Sequence, residues 1–540
     1  MIDSTTNESE STPEEQTASL NQNRRVMRAA VIITAANVVQ RILGMAREVV
    51  KANLFGASGF LSAFTVASLV PMTLYNLIVG GEMVTSSLVP VFSDYASLEG
   101  GDESIQIRRQ DLWHVLSTFL SLTAVLLFII VLIVEIFTPQ VAWLVGARDF
   151  DDPQLFALTV QLMRLTTPAV LFLSLSSIIT AALYALQRFT LPAFTIATLN
   201  ATMIIAALLR PDQISSLGWG LLIGAILQVV LQLPALRDAR LRLSFDWRHP
   251  ALRRVVKLYI PIVGGLVINQ AVIWISYNLA IETGDASVTY MTYATTLYQL
   301  PLGLVVMGLS TATLPMLAQQ ANGRIPEFKQ TLAQGIRLVI TLVLPAAVGM
   351  FVLAQPVVRL LFEHGQFLAQ DTEITSRVLQ VYVFGMPFAA VDQMLVYASY
   401  ARKDTLSPAL VGVFSVIIYL IVALALKGSI GLYSLMAADA IKHMVHTALM
   451  FWLLHRHLGG LRGHQVLKLS LKALLGAALT GITAYGVVYG LSPLLTADSF
   501  FNQLLWVAVP AVAGLVVYVL AAVVLDIREL KALRTIVRRR

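Results

Sequence analysis

Tyr184-Ala185-Leu186-Gln187-Arg188-Phe189-Thr190-Leu191-Pro192-Ala193 returns 216 residues later as Tyr400-Ala401-Arg402-Lys403-Asp404-Thr405-Leu406-Ser407-Pro408-Ala409. Upstream of the two copies, Gly146 matches Gly365 and Pro168 matches Pro387, both at a spacing of 219. Each copy joins two long apolar runs, so the repeating unit is a group of helices. The whole chain fits that reading: of 540 residues, 57% are hydrophobic and 13% are charged. A soluble domain is about half apolar and about a quarter charged, so an ordinary globular or disordered protein is excluded. The 32 glycines and 20 prolines are too few and too scattered for a fibrous or linker-type chain. The short alternating segments of a barrel are absent, which leaves helices as the spanning element.

Crossing the hydrocarbon takes ~20 mostly apolar residues. Fourteen runs qualify: 27–54, 61–94, 111–137, 154–186, 191–209, 215–236, 254–280, 287–318, 335–355, 374–400, 406–426, 429–454, 466–491 and 501–525. Pro71, Pro168, Pro301 and Pro387 fall inside such runs and are the expected kinks. With the N-terminus inside and sides alternating, 28 of the 38 Lys and Arg residues fall on the cytoplasmic side, five on the outer side and five within spans. One missed or invented helix would scramble that asymmetry, so it supports fourteen spans with both termini cytoplasmic. The repeat then pairs spans four and five with ten and eleven, making a six-helix unit. Six is even, so both copies enter the membrane in the same sense, and a central site is expected between the two lobes.

The expected organisation is an all-α integral membrane protein. It has a disordered cytoplasmic tail over 1–26, a first lobe over 27–240, a second lobe over 241–460, two extra helices over 461–526 and a basic cytoplasmic tail over 527–540. The first 22 residues carry five acids and no base, the opposite of a signal peptide. A net charge of +7 in such a chain reads as basic loops against anionic inner-leaflet lipid, not as nucleic-acid binding. The absence of cysteine excludes disulfides, thiolate metal sites and cysteine nucleophiles. No zinc-binding His-Glu spacing, phosphate-loop lysine or nucleophile elbow occurs. The expectation is a transporter without cofactor or metal, not an enzyme.

Four ordered stretches resemble the MurJ/MviN family of the MOP superfamily. They are Arg41-Ile42-Leu43-Gly44-Met45-Ala46-Arg47-Glu48 with Leu54-Phe55-Gly56-Ala57, Tyr293-Ala294-Thr295-Thr296-Leu297-Tyr298-Gln299-Leu300-Pro301 with Leu314-Pro315, Leu361-Phe362-Glu363-His364-Gly365-Gln366-Phe367, and Tyr400-Ala401-Arg402-Lys403-Asp404-Thr405 with Pro408. The resemblance covers roughly residues 27 to 525. It implies a flippase that carries lipid II, or a similar undecaprenyl-diphosphate glycolipid, from the inner to the outer leaflet of the bacterial plasma membrane. It also implies a cationic central cavity, a groove along the last two helices for the lipid tail, and cell-wall synthesis enzymes as partners. Ser62 stands where the family has an Asp, Tyr75 and Asn76 where it has basic residues, Thr296 in place of an Arg and Gln299 in place of a Glu. The cavity is therefore expected to be less charged in both signs. Two alternatives are a related exporter of another lipid-linked glycan or a cationic drug, and a non-transporting cell-wall scaffold.

Arg41 lies near the middle of the first span, where an unpaired charge costs ~2.5–3.5 kcal/mol. It is expected to contact the substrate diphosphate, the alternative being an ion pair with Glu82 or Glu48. Arg47, six residues on, is expected to bind phosphate or snorkel to the outer interface. Glu82 is a candidate cavity carboxylate or gate, and Asn76 and Thr296 are neutral cavity-lining residues. Asp439 and His443, four apart on one helical face beside Lys442 and His446, together with Asp392, are candidates for proton or ion coupling, against the alternative of a satisfied hydrogen-bond cluster.

Overall fold

A computed structural model describes residues 13–96, 102–321, 323–461, 463, 465–491, 499–527 and 529. Among them the chain is helical, without a strand. The first lobe contains α1 (Pro13–Phe55), α2 (Gly59–Ile78), α3 (Gly81–Met83), α4 (Val89–Ala96), α5 (Asp102–Ile136), α6 (Thr138–Leu144), α7 (Pro153–Thr166), α8 (Ala169–Ala185), α9 (Thr190–Leu209) and α10 (Ser215–Val230). The second contains α11 (Pro250–Ile281), α12 (Ser287–Gln320), α13 (Ile325–Val352), α14 (Ala354–Phe362), α15 (Ala369–Val383), α16 (Met386–Ala401), α17 (Leu406–Ile430) and α18 (Tyr433–Leu458). Two further helices, α19 (Val466–Leu491) and α20 (Phe500–Val524), pack on each other and against α13.

Each expected span is helical along nearly all its length, though 61–94, 154–186 and 374–400 are each broken into successive helices. Ten helical stretches are long and apolar enough to cross a membrane, or eleven with the bent pair α15–α16. The remaining three expected spans are α1, α12 and α18. Two of these carry internal charges: Arg41, Arg47, Glu48 and Lys51 in α1, and Asp439 and Lys442 in α18.

The repeat is visible in the backbone. Gln187 and Lys403, 216 apart, both take left-handed conformations, at φ 58° and 62°. Around them the Arg188 N–H donates to the Leu183 carbonyl at 2.8 Å, and the Asp404 N–H to the Ser399 carbonyl at 3.0 Å. Gly146 and Gly365 are both left-handed too, where a side chain would be strained. Pro168 separates α7 from α8, and Pro387 sits in the first turn of α16 beside a 43° bend. Two lobes built on one six-helix plan account for these coincidences.

Two details differ from expectation. Residues 13–26, expected as part of a disordered tail, are helical: Pro13 opens α1, where its missing N–H leaves no intrahelical bond unmade. Residues 1–12 of that tail, and all of the expected basic tail except Ile527 and Glu529, lie outside the described residues. Second, α2 runs unbroken through Pro71 and stops instead at Val79. There Gly80 lets the backbone fold onto Asn76, whose Cα would lie 2.7 Å from any Cβ, and a π-helical turn over Val84–Leu88 follows.

Candidate functional site

The lobes are latched at one end, where the α1–α2, α6–α7, α11–α12 and α14–α15 connections meet. The Gln366 N–H donates to the Asn53 carbonyl at 2.9 Å, and the Asp151 N–H to Asp285 Oδ1 at 2.8 Å. Ser62 Oγ and Thr289 Oγ1 lie 2.9 Å apart, and Thr289 Oγ1 also reaches the Ser58 carbonyl at 3.2 Å. Gly56 and Gly365 permit this approach, since a Cβ on either would run into the Gln366 or Asn53 backbone. Ser62, the residue standing where a carboxylate was expected, is thus a fully buried half of a neutral hydroxyl pair across the two lobes. Farther in, α11 lies along the first lobe. Trp274 Nε1 donates to Thr73 Oγ1 at 2.8 Å, Thr73 Oγ1 to Gln270 at 3.1 Å, and the Tyr259 hydroxyl to the Asn76 and Leu77 carbonyls at 3.2 and 3.1 Å.

Arg41 projects from α1 toward the second lobe. Its guanidinium rests on Gly303 of α12, where an added Cβ would stand 3.0 and 3.1 Å from its two terminal nitrogens. The side chain is exposed and, among the described residues, makes no ion pair. Neither expected alternative partner takes it. Glu48 is engaged elsewhere, and Glu82 is exposed on α3.

Arg47 is placed differently from Arg41. Its Nε and Nη2 donate to Glu48 Oε1 at 3.0 and 2.7 Å, and its Nη1 donates to Asn200 Oδ1 of α9 at 3.0 Å. Lys51 Nζ holds the other carboxylate oxygen at 2.7 Å. Glu48 is 3% exposed and Lys51 5%, so both are buried within α1. Arg47, 29% exposed, is thus engaged by a buried carboxylate and by Asn200, whereas Arg41 has no such partner among the described residues.

Asn76 is half-buried on α2, and its carbonyl accepts from Tyr259. Thr296 is half-buried on α12, its hydroxyl turned back to the Thr292 carbonyl at 2.9 Å. Seven residues before Gly303, it lies about 10 Å along the same helix at 1.5 Å per residue. The coupling candidates gather inside the second lobe. His446 Nδ1 meets Asp392 Oδ1 at 2.6 Å, Lys442 pairs with Asp439, and His443 Nε2 stands 3.6 Å from Asp439 Oδ2. Lys442 also approaches the Tyr419 ring, whose hydroxyl pairs with Ser276 of α11 at 2.7 Å.

The sequence pointed to neither Asn200 nor Gly303, because both act through contacts between distant helices and carry no local pattern. One group at the start of α11 has metal-like composition: His114, Asp246 and His249 bring ligand atoms within 4.8 Å of one another. His249 Nδ1, however, accepts the Ala251 N–H at 3.1 Å and so caps α11. That bond puts the ring proton on Nε2 and leaves no lone pair for a cation.

An apolar groove of about 770 Å³ opens on the flank of the second lobe. Phe388 and Val391 of α16, Met444 and Phe451 of α18, and Leu467 and Leu471 of α19 line it, with Lys468 also on the lining.

A profile of the lipid II flippase MurJ family matches residues 51–510. The probable lipid II flippase MurJ of Bdellovibrio bacteriovorus is 27% identical over 464 residues, covering 84% of this chain and 87% of its own. That of Haemophilus influenzae is 27% identical over 522 residues, covering 91% and 98%. Among solved structures, a lipid II flippase MurJ in an inward closed conformation aligns with a TM-score of 0.74 at 23% identity, over 92% of this chain and 98% of that one. An inward-facing MATE multidrug resistance transporter of the MOP superfamily aligns at 0.64 and 14%, over 80% and 99%. At those identities the structural likenesses speak for the fold. The profile spans most of the chain, from the C-terminal end of α1 into α20, and with it this many-helix inner-membrane protein belongs to the lipid II flippase MurJ family.

Proposed function

We propose that the chain carries lipid II, or a close polyprenyl-diphosphate glycolipid, from the inner to the outer leaflet by alternating access. The observation that carries this reading is Arg41: a guanidinium without a carboxylate partner among the described residues, set between the lobes against Gly303. A diphosphate-sugar head cannot cross hydrocarbon unaided, because burying unpaired charge is very costly. A guanidinium offers phosphate two parallel hydrogen bonds and lowers that barrier. The tail needs no such help and can stay in apolar surroundings, for which the groove beside α19 is suited in lining and position.

In this reading the outer latch at Ser62, Thr289, Asn53 and Gln366 breaks when the lobes rock, releasing the head outward. Asn76, Thr296 and Glu82 border the head's path. Asp392, Asp439 and His443 couple the movement to a proton or cation, and Arg47 supports α1. Both termini lie in the cytoplasm, as the excess of basic residues on that side supports, and cell-wall synthesis enzymes receive the product.

Complementation of a strain depleted of its own lipid II flippase tests the proposal. The wild-type chain is expected to restore growth. Arg41→Ala, at equal membrane abundance, is expected not to, and Arg41→Lys to restore it partly, because the bidentate geometry is lost. Rescue by Arg41→Ala would remove Arg41 from the site. Failure of well-expressed wild type would point to another lipid-linked substrate.

A further inference from the structure

The segment joining the lobes, between α10 and α11, reads Leu241-Arg242-Leu243-Ser244-Phe245-Asp246-Trp247-Arg248. Apolar and polar residues alternate, the pattern of an extended chain with two unlike faces. Residues 240–246 have no helical or turn structure, and the segment lies along α5. The Arg242 N–H donates to Ser117 Oγ at 3.1 Å and the Ser244 N–H to Ser121 Oγ at 3.2 Å, while Ser244 Oγ pairs with Thr118 Oγ1 at 2.7 Å. Asp246 faces His114 at 3.8 Å. The Ser244 hydroxyl and the backbone N–H groups of Arg242 and Ser244 are therefore turned to the protein, while the Arg242 side chain is exposed. The apolar face is bare: Leu241 is 41% exposed, Leu243 86%, Phe245 54% and Trp247 66%.

The depth of this bare face follows from α5. Counting ~20 residues back from Ile136 puts the inner edge of the hydrocarbon near Ser117. The segment's hydrogen bonds to Ser117 and Ser121 lie at that level and about one helical turn deeper. They also supply partners for two backbone N–H groups that lipid could not satisfy. Around the strip, Arg240, Arg242, Arg248, Arg253 and Lys257 form no ion pair among the described residues, and the Arg248 guanidinium lies 4.7 Å over the Trp247 ring. Aromatic and aliphatic side chains at the boundary, ringed by unpaired cations, fit the headgroup region of an anionic leaflet.

We infer that the inter-lobe segment is a lipid-binding strip. Leu243, Phe245 and Trp247 insert into the inner leaflet while the surrounding arginines hold anionic headgroups, so the joint between the lobes is tied to the membrane plane. The inference is independent of what the protein transports.

The chain has no cysteine, so Leu243→Cys and Asp246→Cys each give one labelling site for an environment-sensitive fluorophore. The full chain is reconstituted in phosphatidylcholine vesicles with and without phosphatidylglycerol. The label at 243 is expected to emit to the blue of the label at 246. It should be quenched by lipid carrying a headgroup-proximal spin label but not by aqueous iodide, more strongly when phosphatidylglycerol is present. Combining Leu243→Cys with Arg240→Gln, Arg248→Gln and Arg253→Gln should abolish the difference between the two lipid mixtures. Equal iodide quenching at 243 and 246 would overturn the insertion, and would instead mark the strip as a face for a soluble partner. A lipid preference that survives the three glutamines would overturn the headgroup assignment.

Discussion

The two lobes share a helix plan but spend charge differently. In the first, Gln232 Nε2 donates to Ser176 Oγ at 2.7 Å, a neutral bond tying α8 to the chain just after α10. In the second, 216 residues beyond Ser176, Asp392 of α16 meets His446 of α18 at 2.6 Å. The same pair of helices is thus joined by an uncharged bond on one side and an ionisable one on the other. The first lobe keeps its buried charges on α1, where Arg47, Glu48, Lys51 and Asn200 satisfy one another. Arg47 bridges that cluster to Asn200 of α9, so it serves to hold α1 in place. The second-lobe cluster instead sets two imidazoles, His443 and His446, against the carboxylates of Asp439 and Asp392. On the proposed coupling role, one lobe stays fixed and the other responds.

The sharpest test of that contrast removes Glu48. Glu48→Gln leaves two cations buried without their shared carboxylate, and breaking a buried ion pair by removing one partner costs about 3–5 kcal/mol. The expected result is a large drop in melting temperature and in membrane abundance. A protein of normal stability that fails only in transport would reverse the roles assigned to the lobes.

Asp392→Asn should behave the opposite way. The amide still reaches His446, so melting temperature should change little. Transport in vesicles should fall roughly tenfold or more, the equivalent of about 1.4 kcal/mol in the barrier, with a flatter dependence on pH. If Asp392→Asn matches wild type in rate and pH profile, the pair is a structural bond like Ser176–Gln232, and coupling lies elsewhere.

Much of this was legible in the sequence because the signals are redundant. Charge asymmetry, apolar length and the 216-residue echo each count the same helices, and Gln187 and Lys403 share a backbone conformation as the repeat requires. The site was less legible because its decisive contacts span great separations. Arg41 and Arg47 look alike in one motif, yet Asn200, 153 residues away, engages one while Gly303 accommodates the other. The helix break at Gly80 was missed for a related reason. Pro71 is the stronger local breaker, but a helix held by its neighbours tolerates an internal proline, and the chain bends where a glycine allows backbone contact.

The smallest effect concerns the echoed turn itself, where Arg188 in one copy corresponds to Asp404 in the other. Arg188 reaches across to Asp238 with two bonds, at 2.8 and 2.9 Å, and its hydrogen bonds hold that carboxyl below the usual aspartate range. Asp404 works locally. Burial pushes its carboxyl up, but the Ser407 N–H at 3.0 Å, with His457 and Arg402 nearby, more than offsets this and leaves it below the ordinary value of 3.8. A carboxylate with a depressed folded-state value stabilises fully above its unfolded value, and loses that contribution as pH falls through the folded one. Asp404→Ala should therefore cost about 1 kcal/mol at neutral pH, the usual worth of a side chain capping the first turn of a helix. Wild type and variant should converge in melting temperature only as the pH drops below about 4. Arg188→Ala removes an exposed pair and should cost less than about 1 kcal/mol. If Arg188→Ala proves the costlier change, the turn is held by its long-range tie in the first lobe more than by its local cap in the second, and the two copies of the motif have diverged in what stabilises them as well as in charge.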